Sequence, residues 1–267
     1  MYQIIFFAIA FLLSLDNSYA QELYVSTEPA SNMASRSVGI RLANEGMINN
    51  GFKNRTNLEV MTGVSKNLML HGNAYFSDFY QDKQKFEGLS FYGKYRFLSI
   101  DSVKKHFRGA FFAKYSFSND PLVNDEISLE GDNSGIQGGV VFTKLLHKLA
   151  VSGSGNYTYA FDNQNYDFRP GQARQSIGYT LSGGYLLFPK TYTSYKQTNV
   201  NLYIELLGKT NPGKGQNLMD LAPAIQFIIN STFRIDLSQR IQLWNNMQRT
   251  AKNMYLVRLE YNFFNVY

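Results

Sequence analysis

The sequence predicts an all-β chain, a transmembrane antiparallel β-barrel of about twelve strands behind a cleaved N-terminal signal peptide. Three observations carry this reading. Twelve segments alternate apolar with polar or small residues, the links between them alternate short and long, and an N-terminal apolar stretch closes on a small-residue cut.

The N-terminus comes first. Ile4 to Leu15 form a twelve-residue stretch, apolar but for Ser14, and Ser18-Tyr19-Ala20 place small residues three and one before a cut at Gln21. This assigns residues 1–20 to a secretory signal peptide, because twelve apolar residues fall short of the ~20 that span a bilayer as a helix. Residues 21–35 follow as a periplasmic N-terminal segment, with a plug of the barrel mouth as its alternative role, and 36–267 as the barrel. Removing residues 1–20 takes away Asp16 and no base, so 26 bases face 19 acids and the mature charge is +7. With no Cys among 267 residues, disulfides, thiol chemistry and Cys-ligated metal are excluded. In an exported chain whose basic runs do not exceed Lys104-Lys105, this charge suits anionic lipid headgroups rather than nucleic acid.

The segments lie at about 36–45, 56–65, 68–79, 87–99, 107–118, 135–145, 149–161, 175–188, 198–208, 219–230, 232–244 and 254–267. Period two assigns each residue a face. In the fourth segment Leu89, Phe91, Tyr95 and Phe97 oppose Ser90, Tyr92, Lys94 and Arg96; in the last, Tyr255, Val257, Leu259, Tyr261 and Phe263 oppose Arg258, Glu260 and Asn262. A soluble β-sandwich shows the same alternation, so the links decide. Short links follow the second, fourth, sixth, eighth and tenth segments. Longer polar ones follow the first, fifth, seventh (Asp162 to Arg174), ninth (Lys209 to Leu218) and eleventh, and a shorter one, Tyr80 to Phe86, follows the third. Short turns on one side and long loops on the other are the pattern of an even-stranded barrel with both termini in the periplasm.

The last strand is read to end at Tyr267, with alternating hydrophobics before it. In this the chain resembles the outer-membrane β-barrel proteins of Gram-negative bacteria, whose final strand is read by the barrel-assembly machinery. The stretch Leu23-Tyr24-Val25-Ser26-Thr27-Glu28-Pro29-Ala30-Ser31-Asn32-Met33 is similar to the start of uncharacterised barrel proteins from Bacteroidota, some grouped loosely with transporters. The resemblance implies outer-membrane localisation and contact with outer-membrane lipids and lipopolysaccharide.

Twelve strands ~4.8 Å apart and tilted ~40° close at a backbone diameter of roughly 24 Å, leaving about 10–12 Å or less inside the side chains. The inward face receives Arg41, Glu59, His71, Lys94, Arg96, Arg108, Lys114, Glu205, Arg234, Asp236, Arg240, Arg258 and Glu260. Apart from His71 these are the selectivity candidates, eight bases against four acids. Segments six to eight contribute a neutral wall, including Gln137, Thr143, Ser152, Ser154, Asn156, Thr180 and Ser182. A structural ladder of ion pairs is the first expectation for the charged wall, with Arg41 and Glu260 paired because the first and last strands meet on closure. The surplus of bases adds an anion-preferring field.

The loop Asn119 to Ser134 carries Asp120, Asp125, Glu126, Glu130 and Asp132 and no base. It is expected foremost as a solvated acidic loop. Its alternatives are a divalent-cation site, for which EF-hand spacing is missing, and a constriction that folds into the mouth and pairs with lumen arginines.

Enzymatic chemistry finds no footing. A barrel lipase needs His and Ser together near the outer leaflet, and His71, His106 and His147 lie toward periplasmic ends or turns. No His pair has metal-ligand spacing, no glycine run forms a phosphate cradle, and no cofactor is implied. The expected function is a narrow channel or passive transporter for small hydrophilic or anionic solutes. The alternative is an occluded structural or interaction barrel that binds a partner or lipopolysaccharide through its outer loops.

Overall fold

A computed structural model of the chain describes residues 24–47, 51–103, 105–191, 194 and 196–267. The signal peptide expected over 1–20, with residues 21–23, lies outside the described residues. The strands are β1 Ser37–Met47, β2 Lys53–Gly63, β3 Leu68–Ser77, β4 Lys85–Ser102, β5 Lys105–Ser118, β6 Gly135–Leu146, β7 Leu149–Ala160, β8 Gln175–Phe188, β9 Asn199–Asn211, β10 Gln216–Ile229, β11 Phe233–Asn245 and β12 Met254–Phe263. Each pairs antiparallel with its sequence neighbours, and β1 pairs with β12 to close the barrel. Closure leaves no unpaired edge, which is the condition for strands to cross hydrocarbon.

The distribution of side chains identifies the surrounding solvent. On β4 Phe91 is 60% exposed, while Lys94, three residues on, is 0% exposed. The same inversion holds around the barrel: Ile40, Phe111, Tyr157, Leu181, Ile204 and Leu259 point outward, and Arg41, Glu59, Glu205, Arg234, Asp236 and Glu260 are buried inside. A soluble sandwich would bury the first set and hydrate the second. The closed barrel with charge inside and hydrocarbon outside is a transmembrane one. Outward rings stack across strands, as Phe97 does on Phe111 with centroids 4.3 Å apart.

Two expectations are corrected. β12 ends at Phe263, short of Tyr267, because Asn265 turns into the left-handed region at φ 55°. The last residues fold back across the start of the barrel, where the Val266 amide donates to the Arg36 carbonyl (2.9 Å) and the Tyr267 hydroxyl to the Gly63 carbonyl (3.0 Å). The long loop expected at Lys209 to Leu218 is instead a tight hairpin. β9 and β10 stay paired out to Asn211 and Gln216, and Gly213 and Gly215 adopt the positive φ that the turn needs.

On the outer face Gly208 sits opposite Tyr179, and a Cβ there would fall within the Tyr179 ring. Gly208→Val is therefore expected to lower the temperature of the unfolding gel shift, by the equivalent of about 1–3 kcal/mol for an overpacked contact. Adding Tyr179→Ala should restore part of the loss.

Candidate functional site: the barrel lumen

Most of the thirteen ionisable residues assigned to the inner face by period two are buried within the barrel, and seven of them form one ladder. Arg41 is in register with Glu260 on one side and Glu59 on the other. Its Nε donates to Glu260 (2.8 Å) and its Nη1 to Glu59 (2.6 Å). Glu260 also meets Arg234 (2.8 Å), Asp236 meets both Arg234 (3.1 Å) and Arg258 (2.5 Å), and Glu59 hydrogen-bonds His71 Nδ1 (2.5 Å). Arg96 stands apart at the periplasmic end. It is only half-buried, and its guanidinium donates to the Lys66 carbonyl (2.7 Å). Arg108, also near that end, pairs with Asp101 (3.1 Å). The neutral wall satisfies itself across strands: Thr143 with Ser152 (2.8 Å), Ser154 with Thr180 (2.7 Å), and Gln137 donating to Asn156 (3.1 Å) and Thr158 (2.9 Å).

Residues 24–35 run inside the barrel rather than beside it. Starting from the periplasmic end of β1, the segment passes Met33, whose amide donates to Met69 Sδ (3.4 Å), then Ser31, which accepts from Arg108 (3.0 Å). Glu28 faces Lys94 (3.4 Å) and Arg41 (3.6 Å), and Tyr24 packs edge-on against Tyr203 with centroids 5.5 Å apart. This strap crosses the lumen from β2–β3 to β9–β10. Close approach is possible because β2 ends in Gly63, where a Cβ would collide with the Ala34 carbonyl.

The acidic loop closes the other half, which overturns its expected solvated state. Glu126 is clasped by Lys209 (3.2 Å), Arg249 (3.1 Å) and Arg240 (3.8 Å), Glu130 pairs with Lys114 (3.3 Å), and Asp132 pairs with Arg55 (2.7 Å). The amides of Asp125 and Glu126 both donate to the Gln248 carbonyl, joining this loop to the one between β11 and β12. Burial by itself would raise the Glu126 carboxyl, but Lys209, Arg240 and Arg249 outweigh it and hold it at about 2. Lys114 holds Glu130 down against its burial. Burial pushes Asp120 up, and the neighbouring Glu87 carboxyl pushes the same way.

Seven inward acids were not read from the strand pattern: Glu28, Glu45, Glu87, Glu126, Glu130, Asp132 and Asp220, with three bases, Arg55, Lys209 and Arg249. Among the described residues they add seven acids against three bases to the eight bases and four acids read from the strands, so the surplus of bases is offset while strap and loop are in place. Parity with Gln226 on β10 was a usable signal for Asp220. Arg55 and Lys209 sit one residue beyond the segment ends drawn from sequence. Glu87 faces inward only because β4 carries an extra residue between Phe86 and Gly88. The inward residues left half-exposed lie on β4 to β8: Tyr92, Phe112, Gln137, Ser154, Asn156 and Thr180.

No protein-family model matches the chain, and no curated protein matches it. Among solved structures it is similar to the crystal structure of an outer membrane channel from Pseudomonas putida F1, at 12% identity and a TM-score of 0.58, over 90% of this chain and 100% of that one. The KdgM porin aligns at 11% identity and a TM-score of 0.47, over 85% of this chain and 99% of that one. The first likeness is one of architecture, and with the closed twelve-stranded topology it gives this chain the fold of an outer-membrane channel.

Proposed function

We propose that the chain is a narrow outer-membrane channel, closed at rest, for small hydrophilic solutes including anions. The observation that carries this reading is the content of the lumen. A barrel needs no charged interior to be stable, yet this one is lined with ion-pairing groups and closed by two segments whose many polar contacts water can replace, beside small apolar clusters at Tyr24, Ala30, Met33 and Ile127. Both segments take acid with them when they leave: Glu28 with the strap, and Glu126, Glu130 and Asp132 with the loop. Opening therefore restores the surplus of bases and with it an anion preference.

In this reading residues 1–20 are the export signal, 21–35 a lumen-resident periplasmic segment and 36–267 the barrel, with outer-membrane lipid and lipopolysaccharide around it. No step of catalysis is assigned. The test is current through the refolded protein in a planar bilayer, with reversal potentials in a salt gradient. Brief, small openings that lean toward anions are expected, with the lean weakened in Arg258→Ala and unchanged in Arg96→Ala, whose side chain lies on a periplasmic turn. A second reading, an occluded barrel that binds a partner, is favoured by one observation: polypeptide crosses both halves of the lumen. A membrane that stays silent even after strap and loop are removed would establish it.

A further inference from the structure

The strap is gripped mainly by its backbone. Glu205, 0% exposed on β9, accepts from the amides of Val25 (3.0 Å) and Ser26 (2.7 Å) and from the Thr27 hydroxyl (2.7 Å). Among the described residues no basic side chain stands within ion-pair distance of it, so a fully buried carboxylate is satisfied by two amides and a hydroxyl of the strap, with the Ser182 hydroxyl of β8 as a fourth donor (3.3 Å). Arg258 completes the same stretch from the opposite polarity, donating to the carbonyls of Val25 (2.8 Å) and Tyr24 (3.1 Å). Further along, Lys94 donates to the carbonyls of Pro29 (2.7 Å) and Ser31 (2.8 Å), and Thr143 accepts from the Ala30 amide (2.8 Å). Side chains add the Tyr24 ring against Tyr203, the Thr27 and Ser31 hydroxyls, the Glu28 carboxylate, and the apolar contacts of Val25, Ala30 and Met33 with the barrel wall.

The strap nevertheless belongs to no strand, and among the described residues the main chain joins the barrel ladder just after it, where the Arg36 amide donates to the Gly63 carbonyl (2.7 Å). Main-chain hydrogen bonds are what hold an extended peptide ligand, and here side-chain donors and acceptors, rather than a strand edge, meet successive peptide groups. Withdrawal would admit water to the lumen. Glu205, Arg258 and Lys94 would then be hydrated rather than left bare, so exchange avoids the penalty of a buried unpaired charge.

We propose that the inner half of the lumen is a binding site for an extended peptide, with residues 24–31 as its resident and exchangeable ligand. A free peptide with the pattern Tyr-x-x-Thr-Glu-Pro-x-Ser binds there once the resident one is gone. In the intact chain the tethered copy outcompetes it, because attachment supplies an effective concentration on the order of millimolar. The proposal rests on the channel reading for its electrical readout alone, and binding is measured separately.

The first experiment uses the full chain with Thr27→Cys and Ser182→Cys, whose hydroxyls lie 2.9 Å apart in a protein without cysteine. Oxidised protein is expected to be silent and reduced protein to show openings; identical open-channel currents in both states overturn exchangeability. The second uses the chain lacking residues 24–33 and a fluorescein-labelled synthetic peptide of residues 24–33. Saturable binding is expected by anisotropy, weakened tenfold or more by Glu205→Gln and absent with a scrambled peptide. If the shortened chain does not fold alone, concentration-dependent rescue of its folding by the peptide is the expected result. Neither binding nor rescue overturns the site. Binding without current in any variant keeps the peptide site and removes the channel.

Discussion

Deleting residues 121–131 is expected to raise single-channel conductance several-fold, the largest gain of any change outside the strap. The deletion removes Glu126 and Glu130, and with them the contacts that bring the outer loop onto Lys114, Lys209, Arg240 and Arg249. Glu126→Gln should reproduce part of the gain with a single atom exchanged. It leaves three bases around a neutral amide, with Asp220 the remaining acid near Arg240 (3.1 Å) and Arg249 (2.7 Å). Breaking one side of a buried ion-pair cluster costs about 3–5 kcal/mol, enough to turn a closed loop into one that opens often. The pH dependence has a definite sign. A carboxyl held at about 2 contributes its stabilisation at every pH above the ordinary carboxylate range, and loses it only as pH falls toward 2. Acidifying from pH 7 to 5 should therefore leave the Glu126 clasp closed, while Glu126→Gln opens it at pH 7. Unchanged conductance in both variants, with folding confirmed by heat-modifiable gel migration, would place the constriction elsewhere.

The strands were legible because each obeys a local rule. A residue that must face lipid on one side and a polar lumen on the other has a period of two, and all twelve strands overlap the segments read from that period. Even one long-range pair was legible: closure makes the first and last strands neighbours, and Arg41 and Glu260 meet in register. What period two does not encode is the third dimension of the lumen. The acids that balance its bases arrive on a strap and a loop whose sequences show only composition, and on Glu87, whose inward turn depends on a bulge. The acidic loop read as solvated because nothing within residues 119–134 names its partners; Lys209, Arg240 and Arg249 lie on other elements, brought together by closure. The same limit hid the end of β12, where apolar residues continue past Phe263 to Tyr267 but Asn265 takes a conformation that stops the strand.

Arg41→Ala, by contrast, is expected to act on stability before it acts on ion selectivity. The guanidinium lies where the barrel closes, holding Glu260 of β12 and Glu59 of β2 with Glu28 of the strap nearby. Its loss leaves Glu59 and Glu260 on strands flanking β1 with their shared counter-charge gone. Glu260 retains Arg234 and Glu59 retains His71, so the damage is bounded, and about 3–5 kcal/mol is the scale for truncating one member of a buried pair. The unfolding gel shift should move to a clearly lower temperature. Arg41→Lys should fall between, because an ammonium keeps the charge but lacks the fork that reaches two carboxylates at once. Arg41→Ala combined with Glu260→Gln should recover part of the loss, since the second change removes one stranded charge; this non-additivity identifies the pair as the cause. An unfolding temperature equal to that of the unaltered chain would mean that water in the lumen solvates both carboxylates as well as Arg41 does. The ladder would then be a hydrated lining, free to set selectivity without bearing on closure. A lowered temperature with partial rescue would mean that the residues lining the pathway are also those that close the barrel, and that the permeation role of Arg41 has to be read from Arg41→Lys.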